Sequence, residues 1–156
     1  MKKKYFLITI ICVLFSLTSC STEEGVETSV VDILSAKSWV IQSKLISPTI
    51  TMSGIEITDI AMLESEAVRN YTFNFNSDGS LLVQDASNAT ILETTWSLSS
   101  DETQLIFTNP LIYTYPVVGD MELSSMVIQS ISGTKMVCTI TTVYYDTNYV
   151  VTVTFI

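Results

Sequence analysis

Three thiols, sixteen carboxylates, seven cationic side chains and no imidazole set the chemistry open to this chain. Without His there is no usual general base, no commonest metal ligand and no serine–histidine triad. The carboxylates form no constellation for general acid–base work. Glu64 and Glu66 fall on different faces of the short helix expected there, and Asp101-Glu102 reads as a solvated turn. Asn74-x-Asn76-x-Asp78-Gly79, with Asp85 beyond, offers oxygens at alternate positions and a glycine at the bend, as a calcium loop does. Yet Asn stands where the first Asp belongs, Asp where the last Glu belongs, and Phe73 and Phe75 set a strand rhythm in place of an entering helix. An ordinary hairpin is expected there, and Asn88-Ala89-Thr90, formally a glycosylation sequon, reads as a plain turn. The expectation is therefore no catalytic residue, no metal and no cofactor. What remains is apolar recognition. Tyr71, Phe73, Phe75, Trp96 and Phe107 are the candidate lining of a cavity for a small hydrophobic ligand. The same five side chains would also make a solid core, the commoner arrangement in small barrels.

The thiols differ in their surroundings. Cys138 lies in Met136-Val137-Cys138-Thr139-Ile140, a strand-like setting that suits a small buried hydrophobe better than a nucleophile. Cys20 closes a different pattern. Lys2-Lys3-Lys4 makes a basic start, Tyr5 to Leu17 is an apolar run without charge, and Thr18 and Ser19 are small. Secretory apolar regions run roughly 7–15 residues, whereas a spanning helix needs about 20, so cleavage is the better reading. Leu17-Thr18-Ser19-Cys20 resembles the lipobox of bacterial lipoprotein precursors. The resemblance implies a diacylglycerol on the Cys20 thiol, cleavage between Ser19 and Cys20, and further acylation of the new amino group by a fatty chain such as palmitate. Two or more chains hold firmly where one holds weakly. Ser21-Thr22-Glu23-Glu24 resembles the export tag of surface lipoproteins in Bacteroidota, and would also make a solvated acidic tether. The implied location is the outer membrane, lipid-anchored and exposed at the cell surface, with the bilayer as a partner through Cys20.

The expected organisation is a signal peptide over 1–19, an acidic tether over 20–29 and one domain over 30–156. Cleavage removes three of the seven basic residues and none of the sixteen acids. The four cations left make a nucleic-acid partner untenable, because phosphate binding needs clustered Lys and Arg. Cys12 leaves with the signal and Cys20 carries lipid, so no internal disulfide is expected.

The elements that must position the aromatic set are mostly strands. Val30 to Ser38 reads as a short helix capped by Ser29 or Thr28, and Trp39 to Ile46 as a first strand ended by Pro48. Thr58 to Ala67 reads as one inserted helix capped by Thr58 or Asp59. Tyr71, Phe73 and Phe75 alternate with Thr72, Asn74 and Asn76, turn at Asn76-Ser77-Asp78-Gly79 and return through Leu81-Leu82-Val83. Further strands are expected over Thr90–Leu98 and Gln104–Thr108, with a break at Asn109-Pro110 and a short strand Ile112–Tyr115. Gly119-Asp120 is read as a turn, followed by strands over Met121–Ile131, Lys135–Tyr145 and Tyr149–Ile156, with Asp146-Thr147-Asn148 turning between the last two. An open final strand invites aggregation, so it is expected to pair and close a barrel. The fold class expected is all-β: a small antiparallel up-and-down barrel of about eight strands, with a short N-terminal helix and one short inserted helix.

Leu34-Ser35-Ala36-Lys37-Ser38-Trp39-Val40-Ile41 resembles the opening of lipocalin-like domains in Bacteroidota lipoproteins, where a short helix leads into a Trp-bearing strand. Tyr71 to Gly79, Thr95-Trp96-Ser97-Leu98 with Leu105-Ile106-Phe107, Met126 to Ile131 and Tyr149 to Phe155 resemble their later strands in order. Lys37 stands where the Gly of the lipocalin Gly-x-Trp signature belongs. The resemblance implies a small barrel, in some members with an apolar interior for a lipophilic ligand. The expected role is a lipid-anchored, non-enzymatic binding module. The alternative is a structural or protein-interaction module with a solid core and no ligand.

Overall fold

The computed structural model describes residues 28–115, 119–144 and 146–156. The strands are β1 (Trp39–Met52), β2 (Ile55–Asp59), β3 (Thr72–Phe75), β4 (Ser80–Gln84), β5 (Thr90–Leu98), β6 (Gln104–Tyr115), β7 (Gly119–Ile131), β8 (Met136–Tyr144) and β9 (Thr147–Phe155). Helix α1 is Val30–Ser35, and a 3-10 turn (Ile60–Leu63) and the four-residue helix α2 (Glu66–Arg69) lie between β2 and β3. From β3 to β9 each strand pairs antiparallel with the next, and β9 pairs back on β1, which also pairs with β3. Eight strands thus close a lipocalin-like up-and-down barrel, and β2 is an extra strand on β1.

Closure depends on the alternation along β9. Val151, Val153 and Phe155 face inward and are buried, and β9 joins β8 from Met136↔Phe155 to Tyr144↔Thr147 and β1 from Ile41↔Phe155 to Ser47↔Val150. With both sides of β9 paired, the last strand leaves no edge. Val40 and Ile156 exchange backbone hydrogen bonds of 3.0 and 2.9 Å at the closure.

Helix α1 is set by Ser29, whose side chain accepts from the Asp32 amide at 3.1 Å, as an N-cap should. The helix ends at Ser35, three residues earlier than the sequence pattern suggested. It is docked by Trp39, fully buried, whose indole N–H donates to the Leu34 carbonyl at 2.9 Å. The Lys37 ammonium lies 4.2 Å from the centre of the Trp39 ring, a cation–π contact.

Four boundaries differ from the sequence expectation. Pro48 does not end β1; it falls where the β1–β2 ladder is irregular, between Leu45↔Asp59 and Ile50↔Ile57, so no ladder bond needs its missing N–H. Asn109-Pro110 does not break β6, because the buried Thr94 hydroxyl donates to the Asn109 carbonyl (3.2 Å) and accepts its amide (3.3 Å), holding β6 to β5 across the irregularity. Gly119 and Asp120 are not a turn but the start of β7, paired with Tyr115 and Thr114. Likewise Thr147 and Asn148 already belong to β9, and Asp146 takes the positive φ of 58°.

The single inserted helix expected over Thr58–Ala67 is three elements. Thr58 and Asp59 end β2, the 3-10 turn follows, and α2 starts only after Ser65. Asp59 is the cap at the first junction, accepting from the Ala61 amide at 3.0 Å. The expected hairpin β3–β4 is present, with Gly79 at φ +83°, a left-handed conformation that glycine adopts without a Cβ clash. Among the described residues no helix is long and apolar enough to cross a membrane.

Candidate functional site at the β1–β3 seam

Among the described residues the barrel wall is thinnest between β1 and β3. β1 and β3 pair only at Trp39↔Phe73 and Val40↔Thr72, after which β1 runs on to pair with β2. The 3-10 turn and α2 lie across this seam. A register irregularity between Ile41 and Ser43 shifts the side-chain phase of β1. Past it, Lys44 takes an inward position and is 4% exposed, a buried cation in an otherwise apolar wall. The Asp59 carboxylate accepts both the Lys44 amide, at 2.9 Å, and the Ala61 amide, tying β1 to the start of the 3-10 turn.

Lys44 forms a salt bridge with Glu64, the residue that ends the 3-10 turn; their side chains are 5% and 8% exposed. A buried ion is tolerated only with a close partner, because desolvation costs several kcal/mol per charge. Desolvation is the largest influence on Lys44 and lowers its pKa from the ordinary 10.5, with Glu64 and then Asp59 pulling it back up. The pair therefore offsets its burial only in part.

Two voids flank Lys44. The one inside the barrel, between Ile60, Leu111, Val153 and Phe155, is about 20 Å³, room for about one water. The other, under α2, is about 80 Å³. Gln42, Lys44, Glu64, Arg69 and Tyr71 supply its polar groups, and Ile41, Val68 and Phe73 its apolar walls. Neither approaches the roughly 300 Å³ of a drug-sized ligand pocket.

The aromatic residues picked from sequence divide accordingly. Tyr71, half-buried, and Phe73 reach the seam pocket. Phe75, Trp96 and Phe107 line neither void and belong to the packed core. Phe75 meets Trp96 edge to face at 5.6 Å and 88°, Phe73 meets Phe155 at 5.6 Å and 85°, and the Trp96 indole N–H donates to the Ser80 carbonyl at 3.1 Å.

Lys44, Glu64 and Arg69 were not among the expected site residues. A lysine inside an apolar strand, and the single arginine of the chain, were the available signals. Only the β1 irregularity, which sequence alternation does not reveal, turns Lys44 inward.

The other chemistry-bearing groups are occupied locally. Asn76 and Asp78 serve their own turn: the Asn76 side-chain amide nitrogen donates to the Ser80 hydroxyl at 2.8 Å, and the Asp78 carboxylate accepts the Ser80 amide and hydroxyl at 2.9 and 2.7 Å. Asp85 caps the next turn through Ser87 and Ala89. Among the described residues no group of three or more His, Cys, Asp or Glu is arranged to hold a metal. Cys138 is fully buried, and that burial pushes its thiol up to about 12. Ser19 and Cys20 lie outside the described residues. No family model matches the chain, and no curated protein is similar to it.

Proposed function

We propose that this chain is a lipid-anchored, non-enzymatic protein of the bacterial outer membrane, of the Bacteroidota type, whose lipocalin-like barrel binds a small molecule at the seam between β1 and β3. The seam pocket carries the binding half of the reading: apolar walls and a few convergent polar groups meet where the strand ladder is thinnest. Its volume favours a ligand of few heavy atoms over a long lipid threaded through the barrel. The anchoring half rests on Leu17-Thr18-Ser19-Cys20 behind a basic, then apolar, start. The non-catalytic reading rests on the lack of His and the inert, buried Cys138.

The test of anchoring is metabolic labelling of cells with palmitate. Label on the wild-type chain and none on Cys20→Ala supports the reading; label retained in the variant, or absent from both, overturns it. The binding half is tested by calorimetric titration of the chain with small molecules that fit the seam pocket.

A second reading, a partner-binding module, is favoured by the outer wall. Between Leu123 and Ile156 the only charged residues are Lys135 and Asp146, both outside strands, in a chain with sixteen acids. Leu45, Ile106, Val127, Val143 and Val150 are each at least 40% exposed on the outside of β1 and β6–β9. Uncharged, partly apolar surface of this kind marks interaction sites. Cross-linking in intact cells that depends on Val143 and Val150 remaining apolar would favour this reading over the first.

A further inference from the structure

The distribution of positive charge singles out the seam pocket more sharply than its shape does. After Cys20 the chain has four basic residues: Lys37, Lys44, Arg69 and Lys135. Two of them, including the only arginine, line one pocket of about 80 Å³. Lys37 is taken up by the Trp39 ring and the Thr134 carbonyl. Arg69 makes no side-chain hydrogen bond or ion pair among the described residues, and it sits in the last turn of α2, exposed at the pocket. A planar guanidinium with five donors and no acceptor is suited to a carboxylate.

We propose that the seam pocket binds a short-chain monocarboxylate, its carboxylate held at Arg69 with Lys44 as the second cation, and its short chain against Ile41, Val68 and Phe73. The proposal rests on the reading of the seam as the binding site and names the ligand class. Size sets the class. A water needs about 10–15 Å³ of such space, so a pocket of about 80 Å³ takes about five to eight waters, or a molecule of about five to eight heavy atoms. Propionate has that size. A longer tail would have to pass Lys44 to reach the interior void, which has room for about one water.

The charges facing the site are mixed. Glu64 is a pocket wall and pairs with Lys44, and Asp59 approaches Lys44 from β2 while its carboxylate accepts two backbone amides. Glu64 and Asp59 together balance Lys44, which leaves the exposed Arg69 guanidinium as the cation at the pocket wall with no side-chain partner among the described residues. Because Lys44 is already engaged by Glu64, Arg69 carries most of the discrimination. Tyr71 and Gln42 add polar atoms at the same wall.

The test is isothermal titration of the full chain in detergent micelles with sodium propionate, 1-propanol and propylammonium, repeated on Arg69→Gln and Val68→Phe. Saturable propionate binding, weakened tenfold or more by Arg69→Gln and blocked by Val68→Phe, with neither neutral nor cationic analogue binding as well, is the expected result. Propanol binding as tightly as propionate, still blocked by Val68→Phe, would overturn the carboxylate assignment and leave the seam site standing. Propionate affinity unchanged in Arg69→Gln would overturn it as well. No heat with any of the three would sink both the ligand class and the seam as a site for molecules of this size. Arg69 is exposed, so its variant is expected to fold, and a circular-dichroism melt on each variant separates lost binding from lost structure.

Discussion

Replacing Glu64 by Gln should cost more stability than removing any exposed acid, because it leaves the Lys44 ammonium buried without its counter-charge. Both side chains of the pair are less than a tenth exposed, so solvent screening does not rescue it. Breaking a buried pair from one side costs about 3–5 kcal/mol, and the Asp59 charge nearby should hold the loss toward the lower end, about 3 kcal/mol. The paired replacement Lys44→Met with Glu64→Leu should behave differently. Desolvation already outweighs the attraction at Lys44, so removing both charges should cost under about 1 kcal/mol or stabilise. The assay is urea unfolding of the four corners of this cycle, read as midpoints with a common slope.

The same cycle has a pH signature. Loss of Glu64 removes the two largest effects that raise the Lys44 pKa, so in Glu64→Gln it falls further below 10.5. As pH rises between that lowered value and 10.5, the unfolded chain holds a proton that the folded one has released, so stability increases with pH. The deficit of Glu64→Gln should therefore shrink in alkali. A loss below about 1 kcal/mol in Glu64→Gln at pH 7, or a double variant as damaged as the single one, would refute the argument that the seam is held by a buried pair.

Other consequences follow from single residues. Gly79→Ala forces a Cβ into left-handed backbone, with the Trp96 carbonyl oxygen 3.3 Å away, and should cost about 1–2 kcal/mol, read as a fall of roughly 3–10 °C in Tm. Cys138 should resist iodoacetamide at pH 8 in the folded chain and react once urea unfolds it; rapid labelling under native conditions would contradict its burial and raised pKa. Asp78, Asp85 and Asp101 have pKa values below the ordinary 3.8, Asp78 through the Ser80 amide, and Asp85 and Asp101 first through the Ser87 and Ser99 hydroxyls. The unfolded chain thus binds protons first as pH falls. Their contribution should be intact above about pH 4 and vanish as pH drops through the lowered values, an acid loss that Asp85→Asn should diminish in a melt series.

Much of the barrel was legible because its strands bury one face. Tyr71-Thr72-Phe73-Asn74-Phe75 and Val151-Thr152-Val153-Thr154-Phe155 each announce period two, and the Asn76–Gly79 turn announces the hairpin between β3 and β4. The misreadings came where a side chain or an irregular ladder supplied what local propensity withheld. Thr94 carries β6 past Asn109-Pro110, from a neighbouring strand fifteen residues away. Pro48 is absorbed by a ladder irregularity that depends on β2, a strand hidden in a stretch read as irregular and helical. The site was half legible. Aromatic type and spacing led to Phe73 and Tyr71, but the same signal named Phe75, Trp96 and Phe107, which fill the core. Lys44 and Glu64 meet only because β1 slips by one residue and the 3-10 turn ends at Glu64.

The most direct measurement for the whole account is the intact mass of the chain extracted from the membranes of its own cells. The expected product is a polypeptide beginning at Cys20 and carrying a diacylglycerol, with or without a further acyl chain. A chain that still begins at Met1, or one cut elsewhere with its Cys20 thiol free, would contradict it.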